Sequence, residues 1–348
     1  MPTFSGEQLH SVTTQVLQAA GVSPGDARIV ADELRDANLM GHDSHGVIRL
    51  MQYVDFIHKG FVKPDGVFEV VQEDATLAII DGNMQLGQVT ATKALEVGLE
   101  KARESGMATL VLRNCYHVGR LGSYSQKAAL AGFASMMCVN SPAGGGVAPF
   151  GGIERRLGTN PIAIAAPRGD RPLVLDMTSC ATAEGKLRVA FQKGEKVAEG
   201  LIIDAEGNPS TDPADFYADP EGALLPLGGA LGHKGFGLSV MIDLFAGILS
   251  GSGVCRTDSP RGANGVWMYL ADITRFLPKA EYEAIVRQYE AHIKSSRKMP
   301  GVDEILLPGE IEYQRRAARE ANGVQVAPET WRQINELAES LGVSLRGV

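Results

Sequence analysis

Aromatic residues make up only 6% of this 348-residue chain, which has two tryptophans and four cysteines. Cys115, Cys138, Cys180 and Cys255 lie far apart and form no Cys-x-x-Cys. That excludes a disulfide-stapled scaffold or a zinc ribbon, and reduced thiols in a cytoplasmic protein are expected. No uninterrupted apolar run reaches a membrane span; the best, Phe236 to Leu249, is too short and contains Asp243. The opening MPTFSGEQLH lacks the basic and apolar regions of a signal peptide. There is no block of lysine and arginine, and a net charge of −8 argues against nucleic acid and against an anionic membrane surface. The usual nucleotide signatures are missing too. No Gly-x-Gly-x-x-Gly follows a strand, and no P-loop pattern occurs. Gly144-Gly145-Gly146 and Gly151-Gly152 are dense in glycine but lack the spacing that sets a pyrophosphate over a helix start.

What remains is an ordinary globular composition, 44% hydrophobic and 21% charged, long enough for two or three lobes. Ser5-x-x-Gln8 and Ser23-Pro24-x-Asp26 predict the starts of two N-terminal helices, the second running to Met40. Short strands are expected over Val67–Gln72 and Thr76–Ile80, then a helix over Gly87–Glu104. Met107–Leu112 and Ala134–Val139 read as buried strands on either side of a helix near Gly122–Ala131. Ile162–Ala166 and Leu173–Leu175 form two more. The Gly-, Pro- and Asp-rich stretch Ala198–Leu231 predicts a long ordered excursion, followed by a helix over Gly235–Leu249 and a strand near Val266–Leu270. Residues 278–298, 310–321 and 328–341 read as terminal helices. This pattern is mixed α/β (α+β). It divides into a helical lobe (1–75), a mixed-sheet domain (76–310) and C-terminal helices (311–348) packing back on the first lobe.

The densest chemistry lies in Gly41-His42-Asp43-Ser44-His45-Gly46-Val47-Ile48-Arg49. The apolar spacing Val47, Leu50, Met51, Val54, Ile57 predicts a helix ending at Gly60, so the polar cluster would sit at a helix N-terminus that favours an anion. Arg49 and Tyr53, four apart, are expected to share a face off the apolar stripe. His42 and His45 invite a metal, but zinc needs three or four ligands and no second histidine pair exists, so no metal is expected. On residue types alone, these groups are equally polar loop residues capping a helix. His117, in a loop after a buried strand, suits general acid–base work or a plain bond to backbone. Lys234 before Gly235-Phe236-Gly237 suits a phosphate or ribose, or is a surface lysine.

Taken together, the chain resembles the type 2 malate/L-lactate dehydrogenase family nearly from end to end. The resemblance rests on Asp43-Ser44-His45-Gly46-Val47-x-Arg49-Leu50, Pro149-Phe150-Gly151-Gly152, Leu157-Gly158-Thr159-Asn160-Pro161 and Leu175-Asp176-Met177-Thr178. It continues in Pro209-x-Thr211-Asp212-Pro213, Leu225-Pro226-Leu227-Gly228-Gly229, Lys234-Gly235-Phe236-Gly237-Leu238 and Pro308-Gly309-Glu310. It implies a non-Rossmann nicotinamide-binding fold and a homodimer. It also implies hydride exchange between the nicotinamide and a small 2-hydroxy or 2-oxo acid, with NAD expected and NADP the alternative. Cofactor contacts are expected from Ser141, Leu175, Asp176, Met177, Thr178, Lys234, Gly235, Pro308, Gly309 and Glu310. The substrate carboxylate is expected at Arg49, with Tyr53 nearby. His117 is favoured for the proton, with His45 and Ser44 polarising the carbonyl; relatives differ on which histidine acts. Arg120, in Tyr116-His117-Val118-Gly119-Arg120, is read as structural, with contact to a second anionic group as the alternative. The rival functions are reduction of a cyclic imine carboxylate and a catalytically silent dinucleotide-binding relative.

Overall fold

A computed structural model describes residues 1–142, 145–256 and 263–345; Gly144 of the glycine-dense segment lies outside them. Strand β1 (Thr3–Phe4) leads into α1 (Gly6–Ala19), which begins with a complete capping box. The Ser5 hydroxyl accepts the Gln8 N–H, and Gln8 Oε1 accepts the Ser5 N–H. In α2 (Pro24–Leu39) the Ser23 hydroxyl accepts the Asp26 N–H, and Pro24 stands where a missing N–H costs nothing. Leu9, Val12 and Val16 of α1 meet Val30 and Leu34 of α2 in one core, closed by Leu50, Tyr53 and Val54 of α3 (Leu50–His58).

The central region then alternates strand and helix: β2 (Glu69–Glu73), β3 (Leu77–Asp81), α4 (Gly87–Ser105), β4 (Met107–Cys115), α5 (Leu121–Leu130), β5 (Phe133–Asn140), β6 (Ile162–Ala166) and β7 (Leu173–Met177). An excursion follows, with α6 (Glu184–Lys193), β8 (Ile202–Ile203), β9 (Pro209–Ser210), α7 (Pro213–Tyr217) and β10 (Ala223–Leu224). After α8 (Gly232–Ile242) come β11 (Asn264–Asp272), α9 (Lys279–Lys294), α10 (Glu310–Asn322), β12 (Val324–Gln325) and α11 (Pro328–Ser340). The seven-stranded sheet has the order β2-β3-β4-β11-β5-β6-β7. Its one parallel pair, β3–β4, is joined by α4, as a parallel crossover requires. Late-arriving β11 sits centrally because Val266, Met268 and Leu270 are fully apolar core. This is the expected mixed α/β architecture, and its strand order is not that of a Rossmann sheet.

Two features differ from expectation. The polar motif is not the start of an α-helix. It forms two successive 3-10 turns, Asp43–His45 and Val47–Arg49, separated by an extended Gly46, and α3 begins only at Leu50. The excursion at 198–231 is ordered, as expected, with β8, β9 and β10 forming a small antiparallel sheet around Ile202 and Leu224. Helix α6 was not anticipated; its sequence carries little apolar periodicity. A smaller departure is that the helix after Lys234 changes to a π-helical turn over Asp243–Ile248, where Asn140 Nδ2 donates to Asp243 Oδ1 at 3.1 Å. The last helices return to the first ones. β12 pairs with β1, α11 lies against α3, and α10 against α2. Among the described residues, no helix is long and apolar enough to cross a membrane.

Candidate active site

The 42–49 motif is shaped by Asn38, near the end of α2. Asn38 Nδ2 donates to Asp43 Oδ1 at 2.8 Å, and Asn38 Oδ1 accepts the Val47 N–H at 2.9 Å. Gly46 lies so close that a Cβ there would sit 2.2 Å from Asn38 Oδ1, so only glycine fits. From α10, Arg319 clasps the same turn, donating to Asp43 at 2.6 and 2.9 Å and also to the Asn38 carbonyl. The N–H groups of His45, Gly46, Val47 and Arg49 are all spent inside the turn or on Asn38. Most of the N–H groups expected to bind an anion are therefore already bonded, and anion affinity here falls largely to side chains.

Two histidines from distant segments meet in this place. His45 follows the first 3-10 turn, with Ser44 Oγ 3.0 Å from its Nδ1. His117 follows β4, and its ring stacks on that of His45 with centroids 5.5 Å apart. The α4 start presses on this loop: a Cβ on Gly87 would lie 2.0 Å from the Tyr116 carbonyl oxygen. That approach brings in Gln88, whose Nε2 donates to the Tyr53 hydroxyl at 2.6 Å. The Tyr53 hydroxyl in turn lies 2.8 Å from His117 Nδ1. Tyr53 is fully buried in the apolar core, not off the apolar stripe with Arg49 as expected. Its ring belongs to the N-terminal core, and its hydroxyl is already engaged by His117 and Gln88. Burial pushes the Tyr53 phenol up to about 12. The same burial, reinforced by the Arg49 charge, lowers His45 to about 3 and holds His117 well below the ordinary imidazole value of 6.5. Both imidazoles are neutral at pH 7.

Arg49 is preset. Its Nε donates to the Ser44 carbonyl at 2.6 Å and its Nη1 to Gln52 Oε1 at 2.7 Å, while Nη2 donates to no described residue. A guanidinium held on one side and open on the other suits a carboxylate. The structure thus assembles a neutral, half-buried histidine pair beside a fixed cation.

The chain as a whole is similar to known proteins. The sequence pattern of malate/L-lactate dehydrogenases matches residues 4–335. A malate dehydrogenase of Pyrococcus horikoshii is 40% identical over 97% of this chain and 95% of its own. An L-lactate dehydrogenase of Cupriavidus necator is 37% identical, covering 95% of each chain. The solved sulfolactate dehydrogenase of Methanocaldococcus jannaschii superposes with a TM-score of 0.88 at 33% identity, over 99% of this chain and 98% of that one. The chain belongs to the malate/L-lactate dehydrogenase family.

Membership implies a nicotinamide cofactor, and the segments expected to hold it in this dehydrogenase are linked in space. Leu175, Asp176 and Met177 end β7, and Thr178 follows with its hydroxyl on the Cys180 carbonyl. The Ser179 carbonyl accepts the Leu227 N–H at 3.0 Å. Leu227 in turn packs so closely on Gly235 that a Cβ there would lie 2.3 Å from the Leu227 carbonyl oxygen. Lys234, in the first turn of α8, is exposed and pairs with no described residue. A free ammonium beside a glycine that permits close backbone approach fits the phosphate or ribose of a dinucleotide. Ser141, directly after β5, is half-buried, its carbonyl oxygen close to Gly158. The Pro308 carbonyl accepts the Val174 N–H at 3.1 Å, fastening that turn to β7, and Gly309 supplies the positive φ of 94°. Glu310 is committed elsewhere: Arg168, Lys294 and the Leu307 N–H hold its carboxylate and, against the cost of burial, keep it near 2.

Sequence reading missed Asn38 and Gln88, because both are ordinary polar residues inside helices whose roles exist only through contacts 9 and 35 residues away. It also missed that a Cβ on Gly185, in the first turn of α6, would lie 3.2 Å from Ser44 Cβ, so this helix walls the motif.

Proposed function

We propose that this protein is a nicotinamide-dependent 2-hydroxyacid dehydrogenase in which Arg49 holds the substrate carboxylate and His117 moves the hydroxyl proton. The observation that carries the reading is the Gln88–Tyr53–His117 chain converging beside Arg49. When bound, the nicotinamide supplies the hydride acceptor for the alcohol or the hydride donor for the ketone. The chain's residues do the rest. Arg49 fixes the acid end through its free edge, which orients C2. For His117 to take the hydroxyl proton at Nε2, its Nδ1 must carry a hydrogen. This requires the Gln88 amide to turn from the Nε2-to-Tyr53 orientation described above, so that the Tyr53 oxygen accepts the Nδ1 hydrogen and donates its own to Gln88 Oε1, a buried atom without a partner. Which end of the Gln88 amide faces Tyr53 therefore selects the His117 tautomer. His45, neutral and oriented by Ser44, is assigned to the substrate oxygen as a hydrogen-bond donor.

Ser141, Leu175–Thr178, Lys234-Gly235 and the Pro308–Gly309 turn are assigned to the cofactor; Glu310 is kept as the residue that fixes that turn. NAD is proposed as the dinucleotide. A homodimer is supported by exposed apolar side chains along and after α8, namely Met241, Leu244, Phe245, Ile248 and Leu249. Steady-state rates with a panel of 2-oxo acids, one cyclic imine carboxylate, and NADH or NADPH test the reading. Turnover of 2-oxo acids is expected. Turnover of the imine alone would replace the function, and no turnover with dinucleotide binding retained would identify a silent relative. Sedimentation velocity tests the dimer.

A further inference from the structure

We propose that Arg120 is a specificity-determining residue that binds a second acidic group on the substrate, so that a 2-oxo dicarboxylic acid is preferred to a monocarboxylic one. The inference rests on the dehydrogenase reading above and deepens it. Arg120 stands at the N-cap of α5, three residues after His117. Its side chain is 3% exposed, yet no nitrogen of its guanidinium makes a hydrogen bond with any described residue. The nearest carboxylate is Asp176, whose Oδ2 stands 3.5 Å from Arg120 Nε and already accepts the Gly122 N–H at 2.9 Å. A buried guanidinium normally saturates its donors, because leaving a charge dehydrated and unbonded is costly. Here, beyond the 3.5 Å ion pair with Asp176, the N–H donors make no hydrogen bond among the described residues and can take a ligand.

The surroundings say what that is. Arg120 stands close enough to the motif for its charge, with that of Arg49, to act on His45. On its other side is Asp176 of β7. Arg120 therefore lies between the substrate motif and the strand assigned to the cofactor. Asp176 already supplies one counter-charge, but no hydrogen bond to the guanidinium, and the phosphate-like position belongs to Lys234, which is exposed and pairs with no described residue. The primary carboxylate already has Arg49, which the motif orients through Ser44 and Gln52. What remains for Arg120 is a second anion on the same small molecule. Gly122 keeps this space open, since a Cβ there would lie 2.8 Å from Arg120 Nη2 and 2.6 Å from Asp176 Oδ2.

The test compares oxaloacetate with pyruvate, which differ only in the distal carboxylate, in wild type and in R120M, R120K and R120Q. Wild type is expected to favour oxaloacetate in kcat/KM. In R120M that preference should shrink by about 100-fold, the scale of losing one partner of a desolvated charge pair, with R120K intermediate. An unchanged oxaloacetate-to-pyruvate ratio in the folded variants overturns the proposal, as does a wild type that prefers pyruvate. Thermal-shift binding of tartronate against lactate, with dinucleotide present, separates this from failure of the parent reading. If neither keto acid is turned over but tartronate stabilises wild type and not R120Q, the dehydrogenase reading falls and the second-anion site stands. Equal stabilisation by tartronate and lactate removes the site.

Discussion

The Tyr53 hydroxyl lies 2.8 Å from His117 Nδ1, so the other ring nitrogen, Nε2, is the one left for substrate. Tyr53 is anchored by the N-terminal core and His117 by the β4–α5 loop, so the contact couples two parts of the fold.

This coupling predicts a graded series. His117→Ala should lower kcat by about 10³-fold, within the usual range for a general acid–base group. Tyr53→Phe and Gln88→Leu should each lower kcat by about 10-fold or more, with little change in dinucleotide affinity. Single-turnover rates and cofactor titration measure the two effects separately. If His45→Ala lost more than His117→Ala, the two histidines would exchange roles.

Arg49→Lys should act on substrate use, not on cofactor binding. A lysine keeps the charge but loses the planar fork, and it cannot copy the Nε bond to the Ser44 carbonyl. KM for the 2-oxo acid is expected to rise by about 10- to 100-fold, as read from saturation curves at fixed dinucleotide.

The pH dependence follows from two neutral imidazoles. Because burial holds His117 below 6.5, it remains the base form through that pH, and kcat/KM for alcohol oxidation should stay level from pH 8 to below 6.5. Reduction needs the protonated ring, so its kcat/KM should fall about tenfold for each unit by which pH rises across the same range. Stability has its own sign. Between pH 6.5 and about 3 the unfolded chain binds protons that folded His45 refuses, and His117 acts in the same direction. The contribution is therefore fully present above pH 6.5 and is lost progressively on acidification. Denaturant melts of wild type and a His45→Gln variant across pH 7 to 5 should show the variant losing less.

Gly46→Ala places a methyl group 2.2 Å from Asn38 Oδ1, in a turn that has no slack. A loss of about 1–3 kcal/mol is expected in urea unfolding, together with weaker substrate binding as Arg49 shifts with the second 3-10 turn. Asn38→Ala should reproduce the defect without overpacking.

Helices with caps and strands with buried runs were legible in the sequence because their determinants are local. Ser5-x-x-Gln8, Ser23-Pro24 and Ile162–Ala166 needed only neighbours a few residues away. The position of β11 between β4 and β5 was not legible, since an apolar strand does not name its partners. The site residues His45, Arg49 and His117 stood out by type and by resemblance. Gln88, and the unbonded state of Arg120, did not, because hydrogen-bond satisfaction is a property of the assembled interior. The 3-10 geometry at Asp43–Arg49 was misread for a related reason: Asn38, back in α2, competes for the backbone N–H groups that an α-helix would otherwise present.

The Arg319 clasp on Asp43 spans 276 residues, and that separation sets an order for biosynthesis. By residue 300 a ribosome has delivered every strand of the large sheet, both histidines and Arg49, but not the arginine that fixes the turn between them. A chain of that length contains every strand of the sheet and most of the segments proposed for the cofactor, while the Asp43 turn is still without its clasp. The turn that carries Asp43 thus gains its clasp only once α10 has been synthesised.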